Sequence, residues 1–246
     1  MFASSYSVLA RTCRSAALIS RPMAGLAIAG CLFFPSAGQA QTRDPGSEVL
    51  SDQKAAQSVN RNGWEPRERN WRENSRIPAD WELRRFFDES KHWGRCGEAL
   101  KANITGGFRG TTDEIIQWAA QKWGIEADSI RAVAVKESYW NQDTAADWDS
   151  SGSPRAFGLT QIRRDVNPGT YPLSAESTAF NLDFYGATLR YYYDGCADWL
   201  GSNYWSGDIW GAIGAWYTGR WYDDGAQWYI SEIKQALSDR TWEQFD

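Results

Sequence analysis

The chain has 246 residues, of which 42% are hydrophobic, 23% charged and 15% aromatic. That mix is too apolar for a disordered chain and too charged for a multispanning membrane protein, and a net charge of −5 argues against nucleic acid as a partner. A single histidine, His92, leaves histidine zinc clusters, Ser–His–Asp triads and Cys–His pairs close to excluded, which points to chemistry built from carboxylates, hydroxyls, amides and aromatic rings.

Residues 1–40 hold Arg11, Arg14 and Arg21 and no acid, then an apolar run from Met23 to Phe34 and small residues up to Ala40. This is the pattern of an export signal cleaved after Ala40. The run is shorter than the roughly 20 residues that cross a bilayer as a helix. Ile28-Ala29-Gly30-Cys31 also reads as a lipobox, with Cys31 acylated, although Leu32-Phe33-Phe34 carries the apolar run past the cysteine and favours simple secretion. Both readings place the protein outside the cytoplasm, periplasmic or secreted. Losing three of the 26 basic residues leaves 23 against 31 acids, a balance of −8. Cys96 and Cys196 remain, and an even pair in an oxidising compartment predicts a disulfide, two separate buried thiols being the alternative.

From 41 to 80 the chain is polar, and it reads as a tether or loosely packed arm, open to a membrane or an envelope partner. Trp64, Trp71 and Trp81 interrupt it and are candidate points of contact with a domain spanning 81–246. Thr111 and Glu114 form a capping box ahead of Ile115, Ile116, Ala119 and Trp123, a helix that Gly124 stops. Asp128 is a candidate cap for the next helix, whose stripe is Ile130, Val133, Ala134 and Glu137. Residues 143–172 are rich in Asp, Ser, Gly and Pro and predict an extended loop region. A helix from Ser174 to about Tyr193 is apolar on two sides and so central. Ile209–Tyr217 and Ala226–Leu237 predict two more, and no run of alternating β-branched residues occurs. The expected fold is mostly α, a single chain acting as a monomer.

Glu137 breaks the packing pattern. Offsets of 3, 4 and 7 from Ile130 put a carboxylate where the stripe asks for an apolar group. Either it reaches solvent at the edge of the stripe, or burial raises its pKa towards what a general acid requires.

Glu137-Ser138 is followed by Gly158-Leu159-Thr160-Gln161-Ile162, by Asn181-Leu182 opening the central helix, and by Ala215-Trp216-Tyr217-Thr218-Gly219. In this order and spacing the chain resembles the soluble lytic transglycosylase domain of the lysozyme-like superfamily, over roughly residues 111–238. The resemblance implies a lysozyme-like helical domain with a substrate cleft, cutting the β-1,4 bond between N-acetylmuramic acid and N-acetylglucosamine in peptidoglycan. Glu137 would protonate the leaving oxygen, then act as base while the muramoyl 6-hydroxyl closes a 1,6-anhydro ring, with no metal or cofactor. Ser138 would orient the glutamate or touch the sugar, or simply bond its own backbone. Gln161 would bind an N-acetyl or hydroxyl group, Gly158 would let backbone approach the glycan or make a turn, and Trp216 would form an aromatic wall or pack inward. Thr160 and Tyr217 depart from the family's usual Met and Asn, and Trp216 from its Tyr. Tyr217 cannot reproduce the hydrogen bonds of an amide.

Further signals point to alternatives. Asp147 to Gly152 imitates the first half of a calcium loop, but its twelfth position is Gly158, which offers no carboxylate. Asp143, Asp147 and Asp149 are candidate second carboxylates for a hydrolysing muramidase, or residues of a solvated turn. Trp140, Trp148, Trp205, Trp216 and Trp221 sit in or beside loops and could stack on sugars, whereas Trp118, Trp123 and Trp210 read as core and His92 as surface. A glycan-binding module without catalysis would keep the rings and not need Glu137.

Overall fold

The computed structural model describes residues 43–245, which lie within one compact unit and are mostly helical. The export signal and the Cys31 lipobox lie outside the described residues. The first helices are short: α1 (Asp52–Gln57), α2 (Trp71–Asn74), α3 (Asp80–Glu89) and α4 (Gly94–Lys101). Then come α5 (Thr112–Trp123), with the expected Thr111–Glu114 capping box and a left-handed Gly124, and α6 (Ala127–Ser138). The cap of α6 is Glu126 rather than Asp128, whose carboxylate instead pairs with Arg131 and Arg240.

Residues 143–172 contain three two-residue strands, β1 (Ala145–Ala146), β2 (Ala156–Phe157) and β3 (Ile162–Arg163), paired antiparallel in chain order. The expected Ser174–Tyr193 helix is divided: α7 (Leu173–Glu176) ends before Ser177, whose hydroxyl caps α8 (Thr178–Tyr193). Helices α9 (Ile209–Thr218) and α10 (Asp224–Asp239) complete the unit.

Helix α8 is the hub. Nearly all of its residues are buried, and α5, α9, α4 and α7 pack around it. Gly186 lets the Trp123 ring of α5 lie against its backbone, where a Cβ would collide with the indole. Helix α10 packs on both α9 and α6, so α6 reaches the rest of the domain through α5 on one side and α10 on the other.

The loose arm is not what forms. Helix α5 is buried on every side, including Asp113, Glu114, Gln117 and Lys122, because residues 43–80 cover its polar face. Asn60 N donates to Gln117 Oε1 at 2.9 Å, Asn62 Nδ2 to Asp113 Oδ2 at 2.9 Å, and Arg61 pairs with Glu114 at 2.9 Å. Asn70 and Asn74 are buried, both reaching Thr112 Oγ1. The polar composition that suggests a tether supplies partners for the polar residues of α5.

Lys122 and Asp183 form an ion pair at 2.7 Å, both fully shielded from solvent. Asp183 also accepts from Thr105 N, Gly106 N and Trp123 Nε1, while Lys122 reaches Asp52 at 2.7 Å. The pair therefore joins α1, α5, α8 and the 105–106 turn. Cys96 in α4 and Cys196 after α8 form a disulfide with 5.7 Å between Cα atoms. No helix of the described residues is long and apolar enough to cross a membrane.

Candidate functional site

Glu137 occupies the last turn of α6, before Tyr139 takes a left-handed conformation (φ 53°) that ends the helix. Ile130, Val133 and Ala134 of the same stripe are buried. Across from it, Tyr229 of α10 donates its hydroxyl to Glu137 Oε1 at 2.5 Å. Protein surrounds the carboxyl except where it opens on a cavity of about 930 Å³.

Burial pushes the Glu137 pKa up to about 7, and the charge of Asp147 adds to the rise; the Tyr229 hydrogen bond and nearby Lys136 oppose it. The carboxyl also sits at the negative end of the α6 dipole, which disfavours its ionised form. Near neutral pH it therefore exists in both protonation states, and it is reachable from the cavity. Tyr185 and Tyr229 are both fully shielded, which, with the Glu137 charge, raises their own pKa values well above 10. Both stay neutral, and Tyr229 serves as the donor to Glu137.

The four sequence stretches singled out above meet here, with different tasks. The Ser138 hydroxyl is directed at Ala134 O (3.1 Å) and Leu159 O (3.0 Å) rather than at Glu137 or the cavity. It binds the end of α6 to the loop after β2. Gly158 (φ 80°) is likewise packed inward: a Cβ would overlap the Asn181 amide and the Ser174 carbonyl, so it serves close packing rather than an approach to ligand. Asn181 fixes that loop from the other side, donating to Phe157 O (3.0 Å) and Ser174 O (2.8 Å). It accepts from Thr160 N (3.0 Å) and Thr160 Oγ1 (2.8 Å). Thr160 is thus buried and does not line the cavity.

Gln161, Trp216 and Tyr217 do line the cavity. Gln161 (φ 54°) donates to Gly158 O at 2.8 Å, which fixes its amide. Trp216 meets the Tyr185 ring edge-on at 4.9 Å, and Tyr217 lies parallel to Tyr229 at 4.5 Å, half exposed. A stack of two tyrosines therefore runs from the cavity wall to the group that holds Glu137.

Among the three candidate second carboxylates, Asp147 alone lines this cavity, and it pairs with Arg163 at 3.0 Å. Asp143 pairs with Arg69, and Asp149 is half-buried in its own turn, where hydrogen bonds from Ser151 and Ser153 hold its pKa below the usual carboxylate range. Among the described residues no group of three or more His, Cys, Asp or Glu side chains is arranged to hold a metal.

Two of the loop tryptophans are core: Trp140 is fully buried against Phe245, and Trp221 is buried beside Tyr204. Trp148 and Trp205 are exposed and do not line the cavity. The far end of the cavity comes from Trp93, Tyr191, Tyr192 and Trp199, none of which the sequence marks as a site residue, and from His92, which is exposed as expected of a surface residue. Nor does the sequence mark Tyr229 as a site residue, although it falls three residues after Ala226 and four before Ile233, on the buried stripe of α10. An aromatic hydroxyl on an inward face needs a polar partner, and Glu137 is the one it finds. Comparison of the chain with protein-family models, with curated proteins and with solved structures finds no match.

Proposed function

We propose that this protein is a lytic transglycosylase with a lysozyme-like domain, and that the cavity is the cleft in which it cleaves peptidoglycan strands. The observation that carries the reading is the situation of Glu137: shielded by protein, held by Tyr229, near neutral in pKa and open to an aromatic-walled cavity. Those are the properties of a general acid working near pH 7. The protonated carboxyl gives its proton to the glycosidic oxygen between N-acetylmuramic acid and N-acetylglucosamine, and the C1–O bond breaks. The resulting carboxylate then accepts the proton of the muramoyl 6-hydroxyl as that oxygen bonds to C1. A 1,6-anhydro end forms, and Glu137 returns to its starting state.

Gln161, fixed by its own hydrogen bond, offers its amide to an N-acetyl group, while Trp216 and Tyr217 provide apolar faces for the sugars. No second carboxylate is required, because the nucleophile belongs to the substrate. An export-type N-terminus and a disulfide-bonded cysteine pair support action outside the cytoplasm, where peptidoglycan lies.

A hydrolysing muramidase is the second reading, and Asp147 favours it by lining the same cavity. Its pairing with Arg163 weighs against service as a free base. Mass spectrometry of peptidoglycan digested by the protein and by Glu137→Gln separates the two. Fragments ending in 1,6-anhydro sugar, absent with the variant, are expected. Reducing ends would shift the assignment to a hydrolase using Asp147, and binding without cleavage by either protein would leave a glycan-binding module.

A further inference from the structure

The cavity continues well beyond Glu137. Its floor is one face of α8: Phe184, Thr188, Tyr191 and Tyr192 recur at offsets of 4, 7 and 8. From Phe184 to Tyr192 that face runs about 12 Å at 1.5 Å per residue. Tyr185, whose ring meets Trp216, marks the end near the glutamate. Tyr192 marks the other end, and there Trp199 lines the cavity with 58% of its surface exposed.

An exposed tryptophan on a short turn would ordinarily be mobile. This one is fixed. Its Nε1 donates to the Tyr191 hydroxyl at 3.1 Å, and its ring meets Tyr192 edge-on at 6.2 Å. The turn that carries it follows Cys196, whose disulfide partner Cys96 lies in α4. The residues just before α4, Ser90 to Trp93, line the same end of the cavity, with Trp93 packed on Tyr191 at 5.3 Å. A single covalent bond thus couples both segments that build this end.

We propose that Trp199 is a stacking platform for a sugar ring distant from the scissile bond, and that the Cys96–Cys196 disulfide holds that platform in place. A rigid indole with a free face suits the apolar face of a pyranose, and a position fixed before binding avoids the entropy of ordering the turn. The inference rests on the glycan reading above. It adds that affinity depends on strand length, through a site that takes no part in the bond-breaking steps.

The test uses β-1,4-linked N-acetylglucosamine oligomers of two to six units, with binding to Glu137→Gln measured by calorimetry so that no cleavage intervenes. Affinity is expected to step up at the length that first reaches Trp199. In the Glu137→Gln background, Trp199→Ala should remove that step, weakening the longer oligomers about tenfold while the two-unit ligand binds as before. Trp199→Phe should retain most of it. Cys96→Ser with Cys196→Ser should lose the step as Trp199→Ala does, again with the short ligand unaffected. Equal loss at every length, or no loss at any length, would overturn the platform. If no oligomer bound Glu137→Gln at all, the glycan reading itself would fall, and the platform with it.

Discussion

A carboxyl in the last turn of a helix and enclosed by protein holds its proton far more tightly than one in water, even where a tyrosine hydroxyl donates to it and opposes the rise. For Glu137 the pKa of about 7, against an ordinary value of 4.5, means the folded protein binds a proton across that interval which the unfolded chain does not. Stability therefore falls as pH rises from 4.5 through 7, and the penalty is complete above 7. The gap corresponds to about 2–3 kcal/mol, the lower figure allowing for contact with water in the cavity. Glu137→Gln should therefore be more stable than the parent by that amount at pH 8. The two should converge by pH 4, as denaturant unfolding at each pH would reveal. Tyr229→Phe removes a hydrogen bond that lowers the Glu137 pKa. Its carboxyl should titrate above 7, followed by carbon NMR of labelled glutamate with the signal assigned through Glu137→Gln. An unchanged midpoint would mean that Tyr229 does not hold the acid.

Between elements, the described unit is joined by polar contacts that span long stretches of sequence. Asp183 of α8 meets Lys122 of α5 without solvent and caps the 105–106 turn as well. Asp183→Asn should cost about 3 kcal/mol, the low end for a broken buried pair because Asp52 still reaches Lys122. Thermal melting would register this as a fall in Tm, and no change would place the anchor elsewhere. These contacts also mark the limit of what can be read from sequence. The capping box of α5, its Gly124 stop and the two-sided burial of α8 are local patterns, legible in the residues themselves. The cover over α5 is not, because Asn60, Arg61 and Asn62 find Gln117, Glu114 and Asp113 more than 50 residues away. The same holds within the site. Glu137 is visible as a break in periodicity, whereas Tyr229, 92 residues on, has no local pattern linking it to the glutamate. Ser138 and Gly158 are conspicuous in sequence, yet act by packing the loop that Glu137 adjoins.

Between its two cysteines, the disulfide closes a loop of 100 residues containing α5, α6, the three strands, α7 and the whole of α8. Restricting a loop of that length in the unfolded chain contributes about 4 kcal/mol. Cys96→Ser with Cys196→Ser should lose a comparable amount in denaturant unfolding, and a loss below about 1 kcal/mol would contradict the entropic account. The loop also contains Glu137, Asp147 and Gln161, while Trp216, Tyr217 and Tyr229 lie beyond it. The cavity is therefore built where the enclosed part of the chain meets α9, with α10 behind it supplying the tyrosine that holds Glu137.

The most direct test is the rate at which purified peptidoglycan is cleared, measured from pH 5 to pH 9 with the protein and with Glu137→Gln. A general acid with a pKa of about 7 predicts a rate that declines tenfold per unit above neutrality, with its midpoint near pH 7. Glu137→Gln should clear nothing at any pH. Clearing by the variant at the parental rate, or a parental profile flat through pH 9, would contradict the assignment of Glu137 as the acid.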